Sequence, residues 1–284
     1  MDRRRFLAAV GAAAGLAGCS GGSSDGTPTG EPGGTDTATP TAASSIPAAR
    51  DGYPAPSVID ERPPAPEIDP SSFETLRYDR GVAVPLVPIG VAYDWYRRRE
   101  ARFADARGGA QYERSHVTGA VLSPAGGRRN DPVTEWPTDD RIVCYCGCPH
   151  HLSTVRAGDL LANGYEEVYA IDEGFWEWHE RGYPISGRHT AVAPSGYTSR
   201  VIEGRTDPAD AGRLAWARTP DGGNQEATPI RGDGRYELTL VLWHLDADAP
   251  VTVETPSYTL TAPIGELTSG RVTREGTIAD GRRA

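Results

Sequence analysis

Thiol and imidazole side chains are concentrated in one short stretch of the chain, RIVCYCGCPHHLSTVRAGDLLANGY, residues 141–165. A cysteine thiolate is a nucleophile, and thiolates and imidazoles are also ligands for soft metal ions. The residues that carry this chemistry are closely spaced: Cys146, Cys148, His150 and His151. Their types and spacing favour covalent thiol chemistry, thiol–disulfide exchange or metal binding.

The sequence on either side of these residues predicts a strand, a loop and a helix. Ile142–Tyr145 is an apolar run typical of a buried strand. Apolar residues then recur at helical spacing: Ala157, Leu160 and Leu161. We expect Ser153 or Thr154 to cap this helix and Gly164 to end it. Because first-turn amides and the helix dipole favour negative charge, such a loop stabilises a thiolate and suits an anionic substrate.

Further landmarks surround this loop in a fixed order: Asp105-Ala106-Arg107, Ser115-His116-Val117-Thr118-Gly119-Ala120, Glu173-Gly174-Phe175-Trp176-Glu177-Trp178 and Gly182-Tyr183-Pro184. With the cysteine loop they resemble a rhodanese-like sulfurtransferase domain. Two positions depart from the family's pattern, since Ser115 and Glu173 replace glycines. The alternation of strands and helices independently favours an α/β fold with a parallel sheet and a site at the carboxyl ends of its strands.

The resemblance implies that Cys146 takes a sulfur atom from a small anionic donor such as thiosulfate. The resulting persulfide passes the sulfur to a thiol or to cyanide, and no cofactor is needed. The loop would hold the substrate with these residues: Gly147, Cys148, Pro149, His150, His151, Leu152 and Ser153. Supporting roles are expected for Asp105, Arg107, His116 and Trp178.

The loop departs from many family loops, which carry an arginine five residues after the cysteine. His151 stands at that place, Pro149 replaces a glycine, and Leu152 intervenes before Ser153. We expect His150 and His151 to supply the missing positive charge, which makes activity dependent on pH near the histidine titration. Since the phosphatases with a related loop need an arginine where Leu152 stands, we set that activity aside.

Two alternatives remain open for the same residues. Cys146, Cys148, His150 and His151 can bind zinc or copper on an inactive rhodanese scaffold. Cys146 and Cys148 can instead form a labile disulfide in a thiol–disulfide redox protein.

The first 19 residues resemble a twin-arginine signal with a lipobox. Arg3 and Arg4 are followed by Phe6, Leu7 and a short apolar run, and the segment ends at Leu16–Cys19. Cys19 would then be the lipidated first residue of the mature protein, anchored to the outer face of the cytoplasmic membrane. Residues 20–71 are rich in Gly, Ser, Thr and Pro, which predicts a disordered linker.

Charge composition narrows the classes of partner. The net charge is −10 and the pI is about 5.1, which argues against binding to nucleic acid. The chain contains no lysine, so its 29 basic residues are all arginine. An acidic, lysine-free chain resembles proteins of extreme halophiles, although codon bias in a GC-rich genome gives the same pattern.

We expect two domains, a rhodanese-like domain over residues 72–187 and a small all-β, sandwich-like domain over 190–284. The clearest strand of the second domain is Arg235–His244, which follows the turn signal Gly232-Asp233-Gly234. Val251–Glu254 and Tyr258–Thr261 also suit strands. This domain is expected to act as a spacer or to dock a protein partner or the cell surface.

Overall fold

The structure is a computed structural model that describes residues 51–56, 64, 67–78, 81–147, 151–191, 198–242 and 246–278. Cys19 and the expected signal segment lie outside these residues, as do Cys148, Pro149 and His150 of the cysteine loop. Within the described ranges, no helix has the length and apolar character needed to cross a bilayer.

The first part of the fold is an α/β domain built on a six-stranded sheet. Its elements are β1 (Thr75–Tyr78), β2 (Val82–Val87), α1 (Ile89–Arg98), β3 (Arg102–Asp105), α2 (Gly109–Arg114), β4 (His116–Val117), β5 (Val121–Leu122), β6 (Ile142–Tyr145), α3 (Leu152–Ala162), β7 (Val168–Ile171), α4 (Phe175–Glu180) and β8 (Ile185–Ser186). The strand order is β1-β2-β7-β6-β3-β5. Only β1, at one edge, pairs antiparallel with its neighbour, so the predicted parallel sheet is confirmed.

The central strand β6 is buried on both faces, which explains its continuous apolar sequence. Val143 and Tyr145 point to one face, where they pack with residues of α1 and α4. Ile142 and Cys144 point to the other face, toward α3. The end of β6 therefore lies between two packed layers, and the cysteine loop begins there.

The second part of the fold is the C-terminal β-region, made of two four-stranded sheets. Its elements are β9 (Thr198–Arg205), β10 (Leu214–Arg218), β11 (Gln225–Pro229), β12 (Arg235–Leu242), β13 (Pro250–Glu254), β14 (Thr259–Pro263), α5 (Ile264–Leu267), β15 (Arg271–Thr273) and β16 (Gly276–Ile278). The sheets have the orders β11-β10-β13-β14 and β12-β9-β15-β16. One core joins them, with Leu238 and Val272 from one sheet and Val251 and Val253 from the other. The β-rich C-terminal part expected from the sequence is therefore present.

Two details of the sequence interpretation were wrong. Helix α3 begins at Leu152 with His151 at its N-cap, so neither Ser153 nor Thr154 caps it; both lie in its first turn. Gly52, assigned to the disordered linker, is buried in the α/β domain, where its carbonyl accepts a hydrogen bond from Phe103 N at 2.8 Å. The high glycine content of this segment indicated disorder. At position 52, however, glycine allows the backbone to pack directly on the Trp136 ring, with which a Cβ would collide.

Candidate active site

Cys146 is the first residue after β6, at the carboxyl end of the parallel sheet. Its side chain is 1% exposed and belongs to an apolar group that we call the Cys146 cluster: Cys146, Ala106, Leu152 and Ala227, with Ala125 and Trp216 packed against it. Ala227 lies on β11 and Trp216 on β10. The C-terminal β-region therefore covers the cysteine that the α/β domain presents.

The first turn of α3 supplies the polar neighbour of the thiol. Ser153 is fully buried, and its Oγ lies 3.4 Å from Cys146 Sγ. A hydroxyl donates a hydrogen bond to a thiolate more strongly than to a thiol, and the amino end of α3 favours negative charge at the same place. The unexpected position of Ser153 inside the helix thus directs its hydroxyl at sulfur.

The backbone of the cysteine loop is tied to the start of α4. Phe175 N donates to Cys146 O at 2.8 Å, and Trp176 N donates to Gly147 O at 3.4 Å. A Cβ at Gly147 would lie 3.3 Å from Trp176 Nε1 and 3.8 Å from Arg107 Cδ. These contacts hold the loop close to α4 and leave little room for a side chain at position 147.

His151 is partly exposed and lies beside a buried carboxylate. Its Nδ1 is 3.7 Å from Glu226 Oε1 on β11. The Glu226 carboxylate raises the pKa of the His151 imidazole, against the opposing effect of partial burial, and Cys146 raises it further. A raised pKa increases the imidazolium fraction at neutral pH. His151 can therefore carry positive charge at the N-cap of α3, one residue before Leu152 of the Cys146 cluster.

Asp105 and Arg107 form a buried ion pair that braces the site. Arg107 Nε and Nη2 donate to the Asp105 carboxylate at 2.9 and 2.6 Å, and Nη2 also donates to Ser115 O at 2.7 Å. The guanidinium carbon lies 4.1 Å from the centre of the Phe175 ring. The pair thus links the end of β3 to α4 and to the segment before β4.

His116 and Trp178, the other two supporting residues, are held by backbone carbonyls. His116 stacks on Tyr112 and its Nδ1 lies 2.7 Å from Tyr112 O, so this nitrogen carries the proton of the neutral ring. Burial lowers the pKa of His116. Trp178 is fully buried and donates from Nε1 to Pro184 O at 3.1 Å. Neither side chain is in the Cys146 cluster.

Cys144, two residues before Cys146, has a different environment. It is fully buried in the apolar layer between β6 and α3. Burial raises its pKa to about 12, so it remains a neutral thiol at physiological pH. A neutral thiol inside a sheet is chemically inert toward solutes.

Comparison with known proteins agrees with this arrangement. The sequence model of the rhodanese-like domain matches residues 91–181. The thiosulfate sulfurtransferase GlpE of Actinobacillus pleuropneumoniae is 30% identical over 96 residues, which cover 33% of this chain and 85% of that protein. This chain belongs to the rhodanese-like family.

Other relatives show the range of proteins that carry this domain. The rhodanese-like chain is 27% identical to GlpE of Vibrio cholerae over 35% of its own length and 92% of that protein. It is 30% identical to the HTH-type transcriptional regulator Rv0324 of Mycobacterium tuberculosis, but spans only 40% of that protein. The solution structure of the rhodanese-like domain of an Anabaena protein is 22% identical, covering 39% of this chain and 86% of that one, with a TM-score of 0.34.

Of the two departures from the family's glycines, one is explained by a side-chain contact. Glu173 Oε2 accepts a hydrogen bond from Ile89 N at 2.9 Å, so it satisfies the first amide of α1. Ser115 is buried, and its carbonyl accepts the hydrogen bond from Arg107. The Glu173 side chain therefore makes a contact that glycine could not make, whereas the Ser115 contact uses the backbone and would be the same with glycine; neither residue is in the Cys146 cluster.

The sequence interpretation missed the residues that the C-terminal β-region brings to the site: Trp216, Glu226 and Ala227. No local pattern marks them, because they lie in a Gly-, Thr- and Asp-rich part of the chain.

A cavity of about 250 Å³ lies between the α/β domain and the C-terminal β-region, lined by Val84, Thr154, Gly158, Leu214, Trp216 and others. Cys146 does not line it, although Ala125 and Trp216 belong to both the cavity wall and the cluster.

The metal-binding alternative rests mainly on residues outside the described ranges. Of its four ligands, only Cys146 and His151 are described. Among the side chains that the structure does place, no group of three or more His, Cys, Asp or Glu residues is arranged to hold a metal ion.

Proposed function

We propose that this rhodanese-like protein is a sulfurtransferase that carries sulfur as a persulfide on Cys146. The observation that supports this most directly is the position of the Cys146 thiol, at the carboxyl end of β6 and 3.4 Å from the Ser153 hydroxyl in the first turn of α3. The GlpE relatives, which are named as thiosulfate sulfurtransferases, support the same activity class.

The proposed reaction has two balanced steps. The Cys146 thiolate attacks the outer sulfur of thiosulfate, the S–S bond of the donor breaks, and sulfite leaves with the bonding electrons. Cyanide or a thiolate then attacks the outer persulfide sulfur, and Cys146 leaves as a thiolate. Ser153 and His151 stabilise negative charge on sulfur in both steps.

Access to the thiol is part of this proposal. Since Cys146 is 1% exposed beneath Leu152 and Ala227, a donor reaches it only after a small displacement opens the Cys146 cluster. Such openings are common in enzymes and limit turnover in many of them.

The test is a sulfur-transfer assay with thiosulfate and cyanide, in which thiocyanate is measured. We expect turnover by wild type and Cys148→Ser and none by Cys146→Ser. Turnover that survives in Cys146→Ser would contradict the assignment. Zinc or copper retained through purification, without turnover, would favour the metal-binding alternative, and loss of two hydrogen masses on oxidation would favour the redox alternative.

We also propose that the protein works outside the cytoplasmic membrane, anchored by lipid on Cys19. The support is the sequence Arg3-Arg4 followed by an apolar run and Leu16–Cys19. Membrane fractionation after expression in a prokaryote with twin-arginine export tests this proposal. Wild type should sediment with membranes, and Cys19→Ala should lose that attachment; equal distribution of both would overturn it.

A further inference from the structure

The strand that covers Cys146 also carries a buried acidic side chain. Glu226 is 6% exposed, next to Ala227 of the Cys146 cluster. Its Oε1 accepts a hydrogen bond from Ala227 N at 2.9 Å and lies 3.7 Å from His151 Nδ1. A carboxylate is costly to bury unless charged or donor groups surround it. The burial of Glu226 beside His151 therefore suggests that the carboxylate has a function in the site.

Strand β11 and the turn before it contact the rhodanese-like domain through a hydrogen bond and close backbone packing. Gln225 Nε2 donates to Ala106 O, one residue beyond β3, at 3.3 Å. Gly223 packs so closely on Gly108 that a Cβ at position 108 would collide with the Gly223 carbonyl. A Cβ at Gly126 would lie 2.7 Å from Gln225 Oε1. These close approaches fix Glu226 relative to the cysteine loop.

Two buried arginines of the rhodanese-like domain, Arg107 and Arg156, have carboxylate partners of their own. Arg107 is paired with Asp105. Arg156 on α3 is paired with Asp131 at 3.2 Å and with Asp159 at 2.8 Å. The groups that act on His151 are therefore chiefly the Glu226 carboxylate and Cys146.

We propose that Glu226 is a positioning residue of the active site, whose carboxylate pairs with His151 at the N-cap of α3 and fixes the orientation of that imidazole next to the Cys146 cluster. The inference rests on the proposed function of Cys146, since it assigns the third member of a Cys146–His151–Glu226 arrangement. No net proton transfer is required, because the imidazolium acts by electrostatic attraction on the thiolate and on the persulfide anion. The C-terminal β-region then completes the site in addition to covering it.

The substitution Glu226→Gln tests this role because it removes the charge and keeps the shape. A glutamine oxygen can still accept the hydrogen bond from Ala227 N. Histidine ring signals followed by NMR across pH, with His151 assigned from His151→Gln, should show the His151 titration moving to lower pH. Glu226→Asp should restore part of the shift. The control is Glu237→Gln, an exposed carboxylate on β12, which should leave the His151 titration unchanged.

The pH profile of persulfide formation gives a second readout. In Glu226→Gln the rate near neutral pH should fall about tenfold, with the alkaline limb displaced to lower pH. If the His151 titration of Glu226→Gln matches that of wild type, the inference is overturned. If no persulfide forms in any variant but the titration still moves, the pairing stands and the proposed sulfurtransferase function fails.

Discussion

The α/β domain and the C-terminal β-region contribute to Cys146 in different ways. The first supplies backbone geometry: the end of β6, the first turn of α3 and the loop bonded to α4. The second supplies the cover and a charge, through Ala227 and Glu226 on β11. The comparison shows that one thiol depends on both regions: the first places it through backbone geometry, and the second covers it and places a carboxylate beside His151 of the altered loop.

The substitution with the largest expected effect tests whether the buried Asp105–Arg107 ion pair stabilises the α/β domain around the site. Arg107→Met leaves the fully buried Asp105 carboxylate without its guanidinium partner. We expect the free energy of unfolding in urea to fall by about 3–5 kcal/mol. The matched control Arg181→Met breaks an exposed pair with Glu177 and should cost about 1 kcal/mol or less. Equal losses in the two variants would show that the buried pair does not brace the sheet.

The next effect tests the contact between the two regions. Gly108→Ala places a methyl group against the Gly223 carbonyl, whereas Gly90→Ala, also near the start of a helix, places one in open space. We expect Gly108→Ala to lose about 1–3 kcal/mol of stability and to make Cys146 react faster with iodoacetamide. Mass mapping of the modified residue provides the measurement. Unchanged reactivity in Gly108→Ala would mean that β11 does not control access.

A contrast between two cysteines sharpens the same comparison. Cys144 has its pKa raised to about 12 by burial in the sheet, whereas Cys146 lies next to Ser153 and near His151. In the folded Gly108→Ala variant near pH 8, we expect iodoacetamide to alkylate Cys146 but not Cys144. Modification of Cys144 at the rate of Cys146 would contradict the assigned environments.

The smallest effect is a dependence of stability on pH. Because Glu226 raises the pKa of His151 above its ordinary value of 6.5, the pair stabilises the fold fully below that value and loses its effect as pH rises through the folded pKa. The difference in thermal midpoint between wild type and Glu226→Gln should be larger at about pH 6 than at about pH 9. The lowered pKa of His116 makes stability rise with pH instead. This contribution is the same in both proteins, so it cancels in the difference between their thermal midpoints. A difference that grows with pH would contradict the pairing.

The sequence predicts those structural features that depend on neighbouring residues in the chain. The strand Ile142–Tyr145 was predicted with the observed bounds, because it is a short apolar run that the parallel sheet buries. Helix α3 was predicted, but its cap was not, since Ser153 is held by a contact with sulfur and not by the helix terminus.

The residues that the sequence could not reveal act across long chain separations. Glu226 and Ala227 meet Cys146 only because the C-terminal β-region docks on the end of β6. Gly52 is similar, since its role comes from Trp136 and Arg102 packed against it. Composition near each position contains no information about the distant partner, and at Gly52 it wrongly predicted disorder.

The most direct test of the central claim is the mass of the protein after incubation with thiosulfate and removal of excess donor. Wild type should gain the mass of one sulfur atom, located on Cys146 by fragmentation, and should lose it on addition of cyanide. Cys146→Ser should show no gain, Cys144→Ser should behave like wild type, and Cys148→Ser should still gain one sulfur atom on Cys146. A sulfur atom gained by Cys146→Ser, or none gained by folded wild type, would contradict the account.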